Sequence, residues 1–176
     1  MRATIIAFFS IISLNCFTQD IFMINDKSYP SSGAFTFEIN AYDFDKELNV
    51  LVAKDGDKGI LAFSIKTPFE EIIKDKATLY LDDGSVINLI DRKIYDQVDD
   101  ISTTVFFLTP NEILKLRTID IVKIRYSTGY FGSDEIKNHS ASNTHLVNKL
   151  IFKDNEFINA DIEETIFTTG FFEHLF

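Results

Sequence analysis

The chain has 176 residues and a mass of 20.1 kDa, 45% of it hydrophobic and 25% charged, with seven glycines, three prolines and a net charge of −10. That length suits one domain, and 18 phenylalanines without a glycine or proline excess exclude a collagen-like or disordered chain. The negative balance, with no clustered run of lysine and arginine, argues against nucleic acid as a partner, because such binding draws on basic groups that displace counterions.

Met1-Arg2 is followed by an apolar stretch, Ile5 to Leu14, and polarity returns at Asn15. The stretch is too short to span a bilayer. With its basic start and the small residues Cys16 and Thr18 near its end, it reads as a secretory signal peptide over residues 1–18, cleaved between Thr18 and Gln19. An alternative makes Cys16 the lipidated first residue of an anchored protein, although Asn15 and Ser13 fit that box poorly. Removing the leader takes the net charge from −10 to −11 and takes away the one cysteine. The remaining domain, 19–176, has no thiol and must rely on core packing, which suits a bacterial periplasm or cell surface better than disulfide-stapled secretions. No later stretch is long and apolar enough to span a membrane as a helix.

Along the rest of the chain the spacing is mostly that of strands. Phe35, Phe37 and Ile39 alternate with Thr36, Glu38 and Asn40, the two-residue period of a strand with one buried face. Leu48 to Ala53 continues the pattern, runs into Asp55-Gly56-Asp57-Lys58-Gly59 and is followed by the apolar segment Ile60 to Lys66, a hairpin signal. A second hairpin is expected from Lys76–Leu81 and Val86–Ile90 around Asp82-Asp83-Gly84-Ser85. Ser102 to Leu108 is β-branched and aromatic, apolar on both faces toward its end, as a central strand would be. Thr109-Pro110-Asn111-Glu112 offers an N-cap, a proline at the first helical position and a glutamate three residues on, so a short capped helix is expected at about 110–117.

Ile121 to Ser127 returns to strand. Thr128 to Asn143, rich in Gly, Ser, Asn and charge, reads as an irregular loop. Leu146 to Lys153 reads as a further strand. In the tail, Ile162, Ile166, Phe167, Phe171 and Leu175 fall at near-helical spacing behind Asp161, Glu163 and Glu164, which suits a C-terminal helix. The alternation of Phe172, His174 and Phe176 would also fit the last strand of an outer-membrane barrel, but the preceding strands are too short and too charged for one. The sum is a mainly β fold, an antiparallel β-sandwich of seven or eight strands with one capped helix and a possible C-terminal helix.

Chemistry-bearing motifs are sparse. There is no glycine-rich phosphate loop, no Gly-x-Ser-x-Gly elbow, no cysteine pair and no His-Glu-x-x-His, so neither a catalytic nor a cofactor-binding residue is assigned and no cofactor is expected. His139, His145 and His174 have no ligand spacing and read as surface histidines, so no metal site is assigned to them. Asp55-Gly56-Asp57 and Asp82-Asp83-Gly84 resemble fragments of calcium loops, but turn geometry alone calls for those residue types. The most unusual polar stretch is 91–100, between two apolar strands. Its Asp91, Arg92, Tyr95, Asp96, Asp99 and Asp100 form either a recognition loop or a solvated connection with local ion pairs.

Leu79 to Ile87, Asp91-Arg92, Val98-Asp99, Ser102 to Val105, Leu108-Thr109, Glu112-Ile113 and Ile124 to Ser127 together resemble small exported proteins of Bacteroidetes-type bacteria that carry no assigned activity. The resemblance implies export and a bacterial source but no reaction and no site residues. The expected function is therefore a non-catalytic exported binding or accessory module whose partner is an unknown protein, glycan or envelope component. Two alternatives stand beside it: a hydrolase that pairs carboxylates such as Asp96 and Asp99, and an acidic inhibitor or immunity-type protein that meets a basic partner.

Overall fold

The computed structural model describes residues 20–39, 47–67, 71–153, 156–173 and 175–176. The leader expected at 1–18, with Cys16, lies outside the described residues, as does His174. Among the described residues, twelve strands and two short helices follow in the order β1 (Asp20–Ile24), β2 (Lys27–Ile39), β3 (Glu47–Asp55), β4 (Lys58–Lys66), β5 (Glu71–Leu81), β6 (Val86–Ile90), β7 (Tyr95–Val98), β8 (Ile101–Leu108), α1 (Pro110–Leu116), β9 (Ile121–Tyr130), β10 (Lys137–Ser142), β11 (Thr144–Lys153), β12 (Glu156–Thr165) and α2 (Thr169–Glu173). The fold is mainly antiparallel β, as the alternation predicts. Its principal sheet has the order β6-β5-β9-β10-β2-β3-β4-β8-β7, with β1 paired to β2, and β11 and β12 form a separate two-stranded ribbon. That sheet is a curled half-barrel and not clearly the two-layer sandwich expected.

Curling gives the sheet an inner and an outer face. Inside, Phe37, Leu48, Val50, Val52, Leu61, Phe63, Leu79 and Phe106 make one core. Outside, Ala53, Ile60, Ala62 and Val105 make a second, smaller cluster with Ile24 of the β1–β2 hairpin. Neighbouring residues such as Val52 and Ala53, or Val105 and Phe106, thus bury opposite faces, which is why these strands are apolar throughout. The hairpin that covers the outer face turns on Asn25 and Asp26, both at positive φ (48° and 60°), the backbone that a two-residue turn between twisted strands requires.

One end of the inner face is closed by helices. The capping box forms as expected: the Thr109 hydroxyl accepts from the Glu112 amide, and the Glu112 carboxylate accepts from the Thr109 amide at 2.7 Å. This places Ile113 and Leu116 in the core. Gly59 permits the approach, since a Cβ there would lie 3.0 Å from Ile113 and Leu108. Phe172 of α2 and Leu175 dock beside them. The buried Asn143 side chain holds the segment leading to α2, donating to the carbonyls of Ile121 and Ile166 (2.7 Å each) and accepting from the Ile166 amide (2.9 Å).

Two expectations are corrected. The segment 128–143 is not a loop throughout, because β9 runs to Tyr130 and β10 lies between β9 and β2. On β10 the positions that share a face with core residues Tyr126 and Ile124 of β9 are His139 and Ala141, so no hydrophobic period marks the strand. The tail is not one helix: residues 156–165 pair along their whole length with β11, and only Thr169–Glu173 is helical. Ile158, Ala160 and Ile162 also fit a strand period, and a partner strand ten residues long decides between the two spacings.

Candidate functional site

The two ends of the curled sheet approach one another, and residues 91–94 cross between them, linking edge strand β6 to edge strand β7. This crossing is stapled on both sides: the Asp91 amide donates to the Asp75 carbonyl of β5 (3.0 Å), and the Ile94 carbonyl accepts from the Val105 amide of β8 (3.0 Å). Beneath it the buried Thr104 hydroxyl of β8 donates to the Ile73 carbonyl of β5 at 2.7 Å, a direct bond across the seam. Two residues here have left-handed backbones, Asp75 (φ 72°) and Lys93 (φ 59°). Asp75 lies where the β5–β9 register shifts between Lys74 and Ala77, so it belongs to a bulge that turns its carbonyl toward the crossing. Non-glycine residues at positive φ persist only where their surroundings hold them, and such places are often functional.

Above the seam runs an open groove of about 580 Å³. The crossing contributes Asp91 and Lys93, the start of β7 contributes Tyr95, strand β5 contributes Ile72, Lys74 and Asp75, and the end of β9 with the turn after it contributes Tyr130, Phe131 and Gly132. That turn is folded back against its own strand. Gly129 makes this possible, since a Cβ there would fall 2.3 Å from the Glu135 carbonyl oxygen. Lys74 passes the same point and donates to the carbonyls of Tyr130 (3.4 Å) and Ser133, so it fixes the turn from below.

The polar groups are set with comparable care. Asp91 accepts from the Lys93 amide (2.6 Å) and from the Tyr95 hydroxyl (3.3 Å), which orients its carboxylate and leaves lone pairs over. Burial, and then the adjacent Asp91 charge and hydrogen bond, push the Tyr95 phenol above its ordinary value, so it remains a proton donor. The Tyr95 ring meets Phe131 edge to face, with centroids 6.3 Å apart. Phe131 is nevertheless 76% exposed, so folding does not use most of that ring.

A second polar group lies on the inner face, at the start of β5. The Thr128 hydroxyl donates to Glu71 at 2.6 Å and stands 2.7 Å from Nε2 of His139. A hydroxyl has one proton, so His139 is the donor in the second contact. The His139 ring is stacked on Tyr126 with centroids 5.2 Å apart, and Lys137 lies 3.9 Å from Glu71. His139 is therefore a half-buried, hydrogen-bonded residue and not the surface histidine expected. Burial, with a smaller contribution from the Glu71 charge, raises the Tyr126 phenol well above its ordinary value. Among the described residues no group of three or more His, Cys, Asp and Glu side chains is arranged to hold a metal ion.

Of the six residues singled out in the sequence, Asp91 and Tyr95 line the groove, and Arg92, Asp96, Asp99 and Asp100 do not. Asp96 lies on β7 opposite Thr103. Asp99 (φ 54°) and Asp100 form the turn into β8, and the Asp100 carbonyl accepts from the Thr67 amide at 2.7 Å. The Asp82-Asp83-Gly84-Ser85 segment is a turn that uses up its own polar groups. Asp83 accepts from the side chain and amide of Ser85, which hold its carboxyl below the ordinary range, with Lys115 at 3.8 Å acting in the same direction. Ile72, Lys74, Asp75, Tyr130, Phe131 and Gly132 escape a reading of the sequence, because β5 and β9 meet only through long-range pairing. No family model, curated protein or solved structure matches this chain.

Proposed function

We propose that the chain is an exported, non-catalytic binding module of a bacterial envelope, and that the groove over the seam is its ligand site. In this reading the half-barrel is a sandwich-like scaffold whose facing halves are joined at the seam. The observation that carries it is the contrast within the groove: the backbone of the crossing and the Asp91, Tyr95 and Lys74 side chains are held by hydrogen bonds, while Phe131 is 76% exposed. Rigid support beneath an unspent aromatic surface is what a binding site needs, since preorganisation reduces the cost of ordering on association.

The alternatives have less support. Asp96 and Asp99 stand on a strand and in a turn, outside the groove, and acid–base catalysis calls for titratable groups convergent in a cleft. An acidic inhibitor would present a surface of one sign, whereas the groove has Lys74 and Lys93 beside Asp75 and Asp91. Among the described residues no helix is long and apolar enough to cross a membrane.

Two measurements on the protein purified from its host test the proposal. Mass spectrometry should find a mature N-terminus at Gln19, and the processed protein should sediment with isolated envelope material. Phe131→Ala should reduce sedimentation, and Phe167→Ala, which removes an equally exposed ring (75%) outside the groove, should leave it unchanged. An intact Met1 in a cytosolic protein, or equal behaviour of the two variants, would overturn it.

A further inference from the structure

We infer that the groove takes a neutral saccharide. This rests on the binding-module reading and adds the chemical class of the ligand. A pyranose ring combines a C–H-rich face with a rim of hydroxyls, each both donor and acceptor. It therefore calls for an aromatic plane that water covers poorly, for acceptors and donors in similar number around that plane, and for no net charge.

The groove supplies each of these. Phe131 offers the plane, held by its edge contact with Tyr95 at 6.3 Å and 76% exposed. Acceptors come from Asp75 and from Asp91, whose carboxylate spends one bond on the Lys93 amide and one on the Tyr95 hydroxyl out of roughly four lone-pair sites. Donors come from Lys93 and from Lys74, whose ammonium has three protons and uses two on the carbonyls of Tyr130 and Ser133. Two carboxylates and two ammonium groups cancel, although the chain as a whole carries −10. A site for a polyanion or a basic peptide would depart from that balance. The volume, about 580 Å³, lies within the roughly 300–1,000 Å³ usual for small-molecule sites, and the groove is open at the surface, as a site on a chain-like ligand must be.

Titration of the isotopically labelled processed protein with neutral hexasaccharides (cello-, malto-, xylo-, manno- and chitohexaose) tests the inference by amide chemical shifts. At least one should move the signals of Tyr95, Phe131 and Gly132. Phe131→Ala should weaken that binding by about tenfold, the share of one stacked ring, and Phe167→Ala should not change it. Because the ligand is uncharged, affinity should be the same at low and high salt. The same hexasaccharide should release the protein from envelope material. If Phe131-dependent sedimentation occurs but no neutral hexasaccharide perturbs the groove or competes, the saccharide assignment is wrong and the binding module stands. Shifts confined to other surfaces, or affinity that collapses with salt, would also overturn the assignment. Absence of both sedimentation and titration would remove the module reading as well.

Discussion

The inner core and the seam of the half-barrel both immobilise side chains, but by different means. In the core, Phe37, Phe63 and Phe106 are fully buried and positioned by close packing alone, and Phe63 and Phe106 lie with centroids 5.1 Å apart. At the seam, hydrogen bonds are added to apolar burial: Ile73 and Val105 are buried there and Ile94 packs against the outer cluster. The crossing at 91–94 is further held by single backbone hydrogen bonds to Asp75 and Val105, and Lys93 within it and Asp75 beside it have left-handed backbones. The fold thus consumes some aromatic residues and leaves others over. A core phenylalanine is spent on stability, whereas Phe131 contributes little to it and remains open for another task.

That division predicts a graded series of effects. Phe106→Ala should cost the most, about 3–5 kcal/mol, through lost transfer energy and a cavity that its neighbours cannot fill, read as a fall in the urea midpoint with an unchanged slope. Gly129→Ala should cost about 1–3 kcal/mol, since its Cβ would collide with the Glu135 carbonyl oxygen 2.3 Å away. It should also displace the 131–136 segment, visible as shifts of the Phe131 and Gly132 amides. If Gly129→Ala left those amides in place, the turn would owe its position to something other than the close approach at Gly129.

Tyr126 gives the core a pH signature. Its folded-state pKa is raised by burial and then by Glu71. The folded protein therefore keeps a proton that the unfolded chain loses above about pH 10. The stability present below that pH should fall above it by about 1.4 kcal/mol per pH unit until Tyr126 itself ionises. Tyr126→Phe should flatten this slope in pH-dependent urea unfolding, and a slope of the same size in the variant would assign it to other groups. The smallest expected effect on stability is that of Phe131→Ala, under about 0.5 kcal/mol for so exposed a residue. A loss comparable to that of Phe106→Ala would erase the distinction between core and seam.

Much of the scaffold was legible in the sequence because its signals are local. Thr109-Pro110-Asn111-Glu112 specifies its own helix start, Asp82-Asp83-Gly84 its own turn, and the alternation at Phe35, Phe37, Leu48 and Val50 its own buried face. The misread parts lack such signals. Strand β10 presents only His139 and Ala141 beside the core residues of β9, and its strand form rests on pairing with β9 and β2. The tail carries two competing periods, and pairing with β11 decides between them.

For the groove, the unusual charge of 91–100 marked the crossing and two of the nine lining residues, Asp91 and Tyr95. The rest needs two facts that no local pattern carries: that β5 lies beside β9, and that a bulge at Asp75 turns its carbonyl toward Asp91. A faint signal did exist in Tyr130-Phe131-Gly132, two aromatics and a glycine inside an otherwise polar segment, since exposed aromatics in a turn are seldom needed for folding.

The 91–94 crossing is a fixed part of the sheet and not a free surface loop. Native-state hydrogen exchange at the Asp91 and Val105 amides tests it most directly. Both should exchange only through opening of the sheet, with protection close to that of β4 amides such as Phe63. Exchange at the rate of an exposed loop, with β4 still protected, would show that the staples do not hold and that the groove has no rigid floor.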